Sequence, residues 1–324
     1  MPATSPDLTN TLNERKPGEP VLSAAEQTRF SWARLVQSRD ELPPAYRSFF
    51  DARPAGEAFP YAVLTPTFAG FGFIRRESEK LVCCLDDRLI ILEKTAGEPK
   101  CTAFPVSEVT YVETGSVLLK AWSKIQGRAN DAPTLTTVTL RYNTVTDRYF
   151  TPFVERLRGL AAHPLDVPRD DELNRLDNVP RLTFKFRNYA RRSIPSGDHV
   201  IAGIAQSEVR RPVIRIGHWS YQRTIIMAHV LVLTDRELII IRDDPESPKS
   251  FDGTRYGGVW DYIPLSKIER IEWQDKGADV SSVTLDLPFG DRIETLFAAD
   301  RHADVERFLT ELIEWVPEAT LQRA

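Results

Sequence analysis

Two stretches of the chain share one order of apolar and polar positions. Residues 81–94 read LVCCLDDRLIILEK, and residues 231–244 read LVLTDRELIIIRDD. In each stretch, two apolar runs of strand length flank a short turn that contains an aspartate, Asp86 or Asp235. This pattern predicts a β-hairpin with two mostly buried strands in each stretch. It also assigns the two aspartates to turns rather than to catalysis.

Further blocks recur in the same order, about 150 residues apart. The segment 104–113 (FPVSEVTYVE) matches 263–272 (IPLSKIERIE), with Pro, Ser and the final Glu identical. The segment 136–140 (TTVTL) then matches 281–285 (SSVTL). Because the blocks keep their order, we interpret the chain as a tandem duplication of one domain.

A helix is predicted on both sides of each set of blocks. Aromatic-rich, helix-like segments closed by Pro and Gly precede the sets, at 46–57 and 186–198. After each set, apolar residues recur at the i, i+3, i+4, i+7 spacing of an amphipathic helix. These residues are Phe150, Phe153, Val154 and Leu157 in the first half and Val305, Phe308, Leu309 and Leu312 in the second.

The predicted fold is mainly β, with two tandem β-barrels or bent sheets, each closed by a C-terminal α-helix. Short apolar strands leave one end of such a unit open, and an amphipathic helix closes it by burying its apolar stripe. We place a leader at 1–40, the first unit at 41–162, a linker at 163–180 and the second unit at 181–318.

The leader is predicted to be partly flexible. Residues 1–20 hold four prolines and several small polar residues, a composition typical of disorder. Ser23 and Glu26 have capping-box spacing, which predicts a short helix to about Gln37 with Ala33 and Val36 on one side.

The blocks of the second half resemble bacterial pleckstrin-homology-like (PH-like) domains. VLTDRELIII is similar to the hairpin of that family, IPLSKIERIEW to its next segment, SSVTLDL to a later strand, and VERFLTELIEWV to its capping helix. The resemblance extends over residues 228–316 and, through LDDRLIILEK and FPVSEVTYVE, over 80–160. It implies a bacterial protein with two PH-like units, and the motifs specify fold better than activity.

Composition narrows the class of protein. A net charge of −4 and a pI near 5.9 argue against a nucleic-acid-binding protein. No apolar run reaches the roughly 18–20 residues that span a bilayer, and the N-terminus lacks the pattern of a secretory signal. Three cysteines without CxxC spacing favour a reducing compartment. We therefore expect a cytoplasmic location, with peripheral contact at the inner membrane face as the alternative.

No catalytic, metal or cofactor motif stands out in the sequence. The five histidines show no metal-ligand spacing. Cys83 and Cys84 fall inside an apolar strand, where a thiol behaves as a small hydrophobe and its pKa rises. We expect a non-enzymatic protein with no cofactor and no metal.

One region has an uneven charge. Residues 181–223 contain nine basic residues and only two acidic ones, Asp198 and Glu208. Such a region attracts an anionic surface unless its arginines pair with acids of the linker or the other unit. The resemblance adds that eukaryotic relatives sometimes bind phosphoinositides through basic residues near the first strands. The candidate residues for binding an anion or a partner are Arg187, Arg191, Arg192, Arg210, Arg211 and Arg215.

A second candidate surface follows from alternation in the segment 117–127 (VLLKAWSKIQG). Alternation places Lys120, Trp122 and Lys124 on one face of a strand, with Leu119 and Ile125 on the other. The leader, the second unit or a partner is expected to cover this face.

These features predict an interaction or scaffold protein that binds a protein or peptide partner. The alternative is binding to anionic membrane lipid through residues 181–223. The sequence does not specify the oligomeric state.

Overall fold

The computed structural model describes residues 32–51, 57–67, 77–159, 175–195, 197–216, 219–277, 279–316 and 318–323. The described residues form sheets of five, seven and four strands and a two-stranded ribbon, together with α-helices. The prediction of a mainly β fold is confirmed. None of the sheets closes into a barrel over the described residues, and the seven-stranded sheet contains strands of both halves.

The first sheet is antiparallel and has its strands in chain order. Its strands are β1 (Arg34–Val36), β2 (Ala62–Leu64), β3 (Lys80–Leu85), β4 (Arg88–Glu93) and β5 (Lys100–Pro105).

A seven-stranded sheet joins the two halves of the chain. Its order is β8-β7-β6-β14-β13-β12-β9, and β6 pairs with β14 antiparallel. From the first half come β6 (Val109–Val117), β7 (Lys120–Arg128) and β8 (Leu135–Asn143). From the second half come β9 (Val200–Gln206), β12 (His229–Thr234), β13 (Glu237–Arg242) and β14 (Gly258–Pro264).

The remaining strands belong to the second half. A ribbon formed by β10 (Val209–Ile216) and β11 (Trp219–Ile226) is inserted between β9 and β12. The last sheet has the order β17-β16-β15-β18, in which only β18 runs parallel to its neighbour. Its strands are β15 (Arg270–Asp275), β16 (Val280–Leu287), β17 (Asp291–Ala298) and β18 (Thr320–Arg323).

Helices form in four of the segments where the sequence predicts them. They are α1 (Pro44–Asp51), α2 (Thr151–Leu157), α3 (Phe184–Ser193) and α4 (His302–Trp315). The side chain of Thr183 caps α3 by accepting a hydrogen bond from the amide of Phe186. The apolar stripes of α2 and α4 pack into separate hydrophobic cores, one in each half.

Both predicted hairpins are confirmed. Asp86 lies in the turn between β3 and β4 with a φ of 53°, and Asp235 lies in the turn between β12 and β13. The prolines that follow have nearly equal φ and ψ, −57° and 133° at Pro105 and −58° and 134° at Pro264. The amide after each proline donates to its hairpin turn at 2.8 and 3.0 Å, from Val106 to the carbonyl of Asp87 and from Leu265 to that of Arg236.

Two sequence predictions differ from the structure. The leader helix is wrong at its end, because Arg34–Val36 forms strand β1, which extends the first sheet and buries Val36. The beginning of that helix and residues 1–20 lie outside the described residues. The block 136–140 falls in β8, the third strand of the group β6–β8. The block 281–285 falls in β16, the second strand of the group β15–β17. Their match therefore reflects a shared strand composition rather than equivalent positions.

Gly257 sits at the joint between the halves. Its φ is 67°, and an added Cβ would lie 1.8 Å from the carbonyl oxygen of Ser116 in β6. Gly253 in the same loop has a φ of 83°, but nothing lies within 4 Å of its Cβ position. The two glycines therefore share the backbone conformation but differ in the space around them.

We expect Gly253→Ala to cost about 1 kcal/mol of unfolding free energy because of its positive φ. Gly257→Ala carries the same strain plus a backbone clash, and we expect it to cost about 1–3 kcal/mol more. Guanidinium unfolding of both variants measures the difference. Equal losses would show that the close approach of β6 and β14 at this point contributes nothing.

Candidate functional site

A cleft lies where the two halves meet. Its volume is about 690 Å³. The first half contributes residues of β6 and β8 and of the segment around α2, and the second half contributes α3, β14 and the turn at Arg236. The cleft therefore exists only because β6 pairs with β14.

A buried ion pair connects the halves at this cleft. The guanidinium of Arg158, which follows α2, donates to both carboxylate oxygens of Glu237 in β13. It also donates to the carbonyl oxygen of Ser193 at 2.7 Å and lies 3.9 Å from the ring centroid of Tyr262. The Arg158 and Glu237 side chains are only 8% and 4% exposed. Arg158 belongs to the first half and Glu237 to the second, so the ion pair joins the halves. Removal of either partner would lower stability, because the other charge would remain buried and unpaired.

The wall formed by α3 and β14 is aromatic and basic. The rings of Tyr189 and Trp260 are 4.9 Å apart. Arg192 is exposed at the end of α3 and faces the cleft. Arg158 and Arg236 are paired with Glu237 and Asp198, whereas Arg192 has no carboxylate within ion-pair distance among the described residues.

The opposite wall carries two acidic residues, Asp147 and Glu155. Burial raises the pKa of Asp147, and a hydrogen bond from Tyr142 partly offsets that rise. Within the part of the chain that the structure describes, the cleft thus has an exposed cation without a carboxylate partner on one side and a partly shielded carboxyl group on the other.

A second cavity of about 360 Å³ lies beside the same joint, on the other face of the seven-stranded sheet. Glu113 of β6 pairs with Arg242 of β13 at 2.9 Å and with Lys124 of β7 at 3.8 Å. Lys124 donates to the hydroxyl of Tyr111 at 3.0 Å, and Arg242 also pairs with the buried Asp261. The joint thus combines aromatic rings with a buried ion pair on one face and carries a network of ion pairs on the other.

Two buried groups near this cavity have strongly shifted pKa values. Burial raises the pKa of Asp261 to about 6, against the lowering effect of Arg242. Burial lowers the pKa of His229 to about 4. The Nδ1 atom of His229 lies 2.9 Å from the carbonyl oxygen of Met227. In the neutral ring Nδ1 therefore carries the proton, and Nε2 has no hydrogen-bond partner among the described residues.

The structure separates the predicted basic candidates and pairs most of them with acids. Arg187 and Arg191 both lie 3.3 Å from Asp177, near the end of the linker. On the ribbon, Arg210 pairs with Glu208 and Arg211 with Asp279. Only the backbone of Arg215 is described. Arg192 alone among the six lines the cleft.

The residues of the second candidate surface, Lys120, Trp122 and Lys124, lie in β7. Lys120 is exposed, whereas Trp122 and Lys124 are half-buried by neighbours in their own sheet. The indole of Trp122 donates to Glu113 at 2.9 Å and lies over Gly115, where a Cβ would be only 2.0 Å from the ring. Leu119 is not on the buried face as predicted, because it lies in the β6–β7 turn and is 65% exposed.

The described part of the chain gives no support for a metal site, a reactive thiol or a membrane-spanning helix. No cluster of three or more His, Cys, Asp or Glu has metal-binding geometry there. Burial raises the pKa of the Cys84 and Cys101 thiols, and the three cysteines form no disulfide with one another. Among the described helices, none has the length and apolar character to cross a membrane.

Sequence reasoning missed the residues that build the cleft, chiefly Arg158, Glu237 and Trp260. Each lies in an ordinary amphipathic or alternating segment, and no local motif marks them. The available signal was Glu237 itself, a charge at the start of a strand whose next four residues are apolar.

No protein-family model matches the chain, and no curated protein shows significant sequence similarity to it. The geometry of the described residues is therefore the basis for the functional proposals that follow.

The opposite pKa shifts of His229 and Asp261 predict how the unfolding free energy depends on pH. Between about pH 4 and 6.5 the unfolded state binds more protons at His229, so that residue makes stability rise with pH. Between about pH 4 and 6 the folded state binds more protons at Asp261, so that residue makes stability fall as pH rises. The two slopes oppose one another in the native protein.

We expect His229→Gln to expose the Asp261 slope, so that its unfolding free energy falls by on the order of 2 kcal/mol, relative to the native protein, from pH 4 to 6. Asp261→Asn is expected to change in the opposite sense. Urea unfolding at pH 4, 5, 6 and 7 measures both slopes. Curves parallel to that of the native protein for both variants would contradict the assignment.

Proposed function

We propose that the chain is a non-enzymatic interaction protein built from two tandem PH-like units, and that the cleft between them binds an acidic segment of a partner protein. The observation that carries the proposal is Arg192, which is exposed beside the Tyr189 and Trp260 rings in this cleft and pairs with no carboxylate of the described residues.

The order of elements supports the two-unit organisation. Each half has a first group of four strands, then a second group of three strands, then a helix with a buried apolar stripe. In the first half these are β2–β5, β6–β8 and α2, and in the second half they are β9 with β12–β14, β15–β17 and α4. The equivalent hairpin turns and proline conformations support the same correspondence.

The chemistry of the cleft favours an acidic protein segment over a small metabolite. The cleft is open and bounded by aromatic rings, which supply contact area at a low cost in conformational entropy. A guanidinium presents several donors in a fixed plane and matches a carboxylate in bidentate geometry. Because the carboxylates of Glu237 and Asp198 already satisfy Arg158 and Arg236, Arg192 is, among the described cleft residues, the cation left for a ligand.

A displayed library of random peptides tests this proposal. We expect the selected peptides to be enriched in Asp and Glu, and to bind Arg192→Glu about tenfold or more weakly, because charge reversal opposes a carboxylate. Arg223→Glu on the ribbon is the matched control, since Arg223 is exposed but does not line the cleft. Selected peptides that bind Arg192→Glu and the native protein equally would refute the cleft as the binding site.

The ribbon supports a second candidate function, peripheral binding of anionic membrane lipid. Val213, Ile214 and Tyr221 are 54–68% exposed on it, and Arg211 and Arg223 face each other across its strands. Apolar side chains beside cations are typical of surfaces that enter the headgroup region. The pairing of Arg210 and Arg211 with acids weakens this candidate.

Vesicle sedimentation separates the two candidates. If the ribbon binds lipid, vesicles with phosphatidylserine retain the protein at low salt, and Ile214→Asp with Arg223→Glu abolishes retention, whereas Arg192→Glu does not. Neutral phosphatidylcholine vesicles are the control. A protein that stays in the supernatant with both vesicle types excludes the membrane candidate.

A further inference from the structure

Strand β18 occupies one edge of β15. The other edge of β15 pairs with β16, and β18 is added in parallel through pairs that run from Arg270–Thr320 to Trp273–Arg323. This edge would otherwise present unpaired backbone amide and carbonyl groups.

The corresponding edge in the first half also carries an added strand. The matched segments 104–113 and 263–272 make β6 the counterpart of β15, and β7 is then the counterpart of β16. On β6 the edge opposite β7 is taken by β14 of the second half, through pairs at residues 112–116. In each half, the first strand of the three-stranded group (β6 of β6–β8, or β15 of β15–β17) thus pairs along its outer edge with a strand from outside that group.

The contacts of β18 are few and specific. Thr320, Gln322 and Arg323 are exposed, and Leu321 alone packs against the core of the second half. Arg323 pairs with Glu306 of α4 at 3.0 Å, and its guanidinium lies 5.4 Å from the ring centroid of Trp273. Leu321 and Arg323 are opposite Ile271 and Trp273, so they point to the same face.

We propose that the β15 edge is a second binding site, which takes an extended segment of a partner protein in which an apolar residue is followed two positions later by Arg or Lys. In the free protein β18 occupies this site as an intramolecular ligand and limits access to it. This site is separate from the acidic-segment site of the cleft, and neither proposal depends on the other.

The chemistry of the partner follows from what β18 satisfies. Backbone pairing along Arg270–Trp273 requires an extended segment but no particular sequence. The apolar position opposite Ile271 and the carboxylate of Glu306 then select an apolar residue and a cation two positions later. Four paired residues with one half-buried apolar side chain make β18 easier to displace than β14, which buries its strand between two neighbours.

The test uses the full chain with the double substitution Leu321→Asp and Arg323→Glu, which releases β18 from the edge. The probe is a labelled peptide with the sequence of residues 319–324, Ala-Thr-Leu-Gln-Arg-Ala. We expect the released variant to bind it saturably and about tenfold or more tightly than the native protein, whose own β18 competes at roughly millimolar effective concentration. Hydrogen exchange at Arg270–Trp273 is expected to speed up in the variant and to slow again with the peptide.

The matched control peptide has Asp in place of Leu and Glu in place of Arg, and it is expected not to bind. Absence of saturable binding by a released variant with a native circular dichroism spectrum would overturn the proposal. Self-association of that variant in analytical ultracentrifugation would also overturn it, since the edge would then pair two copies of the chain.

A single charge swap keeps the test decisive if the double substitution unfolds the protein. Arg323→Glu is expected to accelerate hydrogen exchange at Arg270–Trp273, and Glu306→Arg added to it is expected to restore protection. Unchanged exchange in Arg323→Glu would show that the Glu306 contact does not hold β18. That result would overturn the proposed selectivity for a cation.

Discussion

Backbone pairing between β6 and β14 is the constraint on which the rest of the structure depends. It joins three strands of the first half and four of the second into one sheet, so the two halves share hydrogen bonds rather than a side-chain interface alone. Gly257 allows the close approach, because its missing Cβ leaves room for the Ser116 carbonyl. The 690 Å³ cleft and the ionic cavity are the two faces of this one joint.

The side chains at the joint add specificity to that backbone pairing. Asp291 accepts hydrogen bonds from Thr110 and Gln126 of the first half, and Arg158 reaches Glu237 of the second. Buried charges of this kind cost desolvation energy, and their good geometry compensates for that cost only when both partners are in place. They therefore select one register and one orientation of the halves, while apolar burial supplies most of the stability.

The sequence contained enough information for the local elements but not for the joint. The hairpins at Asp86 and Asp235 and the helix stripes of α2 and α4 follow from short-range periodicity, and all of them form. The pairing of β6 with β14 does not, because both strands show the same alternation as their neighbours and nothing local specifies a partner more than 100 residues away. Arg34–Val36 illustrates the same limit, since tertiary pairing with β2 overrides a helix-like pattern.

Whether a candidate arginine is available for binding depends on whether an acid pairs with it, and the sequence alone does not show that pairing. Arg187, Arg191, Arg210 and Arg211 were singled out by their density along the chain, but the acids that pair with three of them, Asp177 and Asp279, lie in other segments. Arg192 differs from Arg191 only by its position on α3, which turns it to the cleft. Charge counting finds such a region, and the helix geometry decides which member faces a cleft.

The continuous sheet also determines how the cleft responds to a ligand. Rotation of one half against the other would have to break the hydrogen bonds between β6 and β14 and separate Arg158 from Glu237. The width of the cleft is therefore set before anything binds, and a ligand loses little free energy to rearrangement of the protein. Selection by such a rigid cleft depends on the shape and length of the incoming side chain. It does not depend on the order in which ligands bind to the protein.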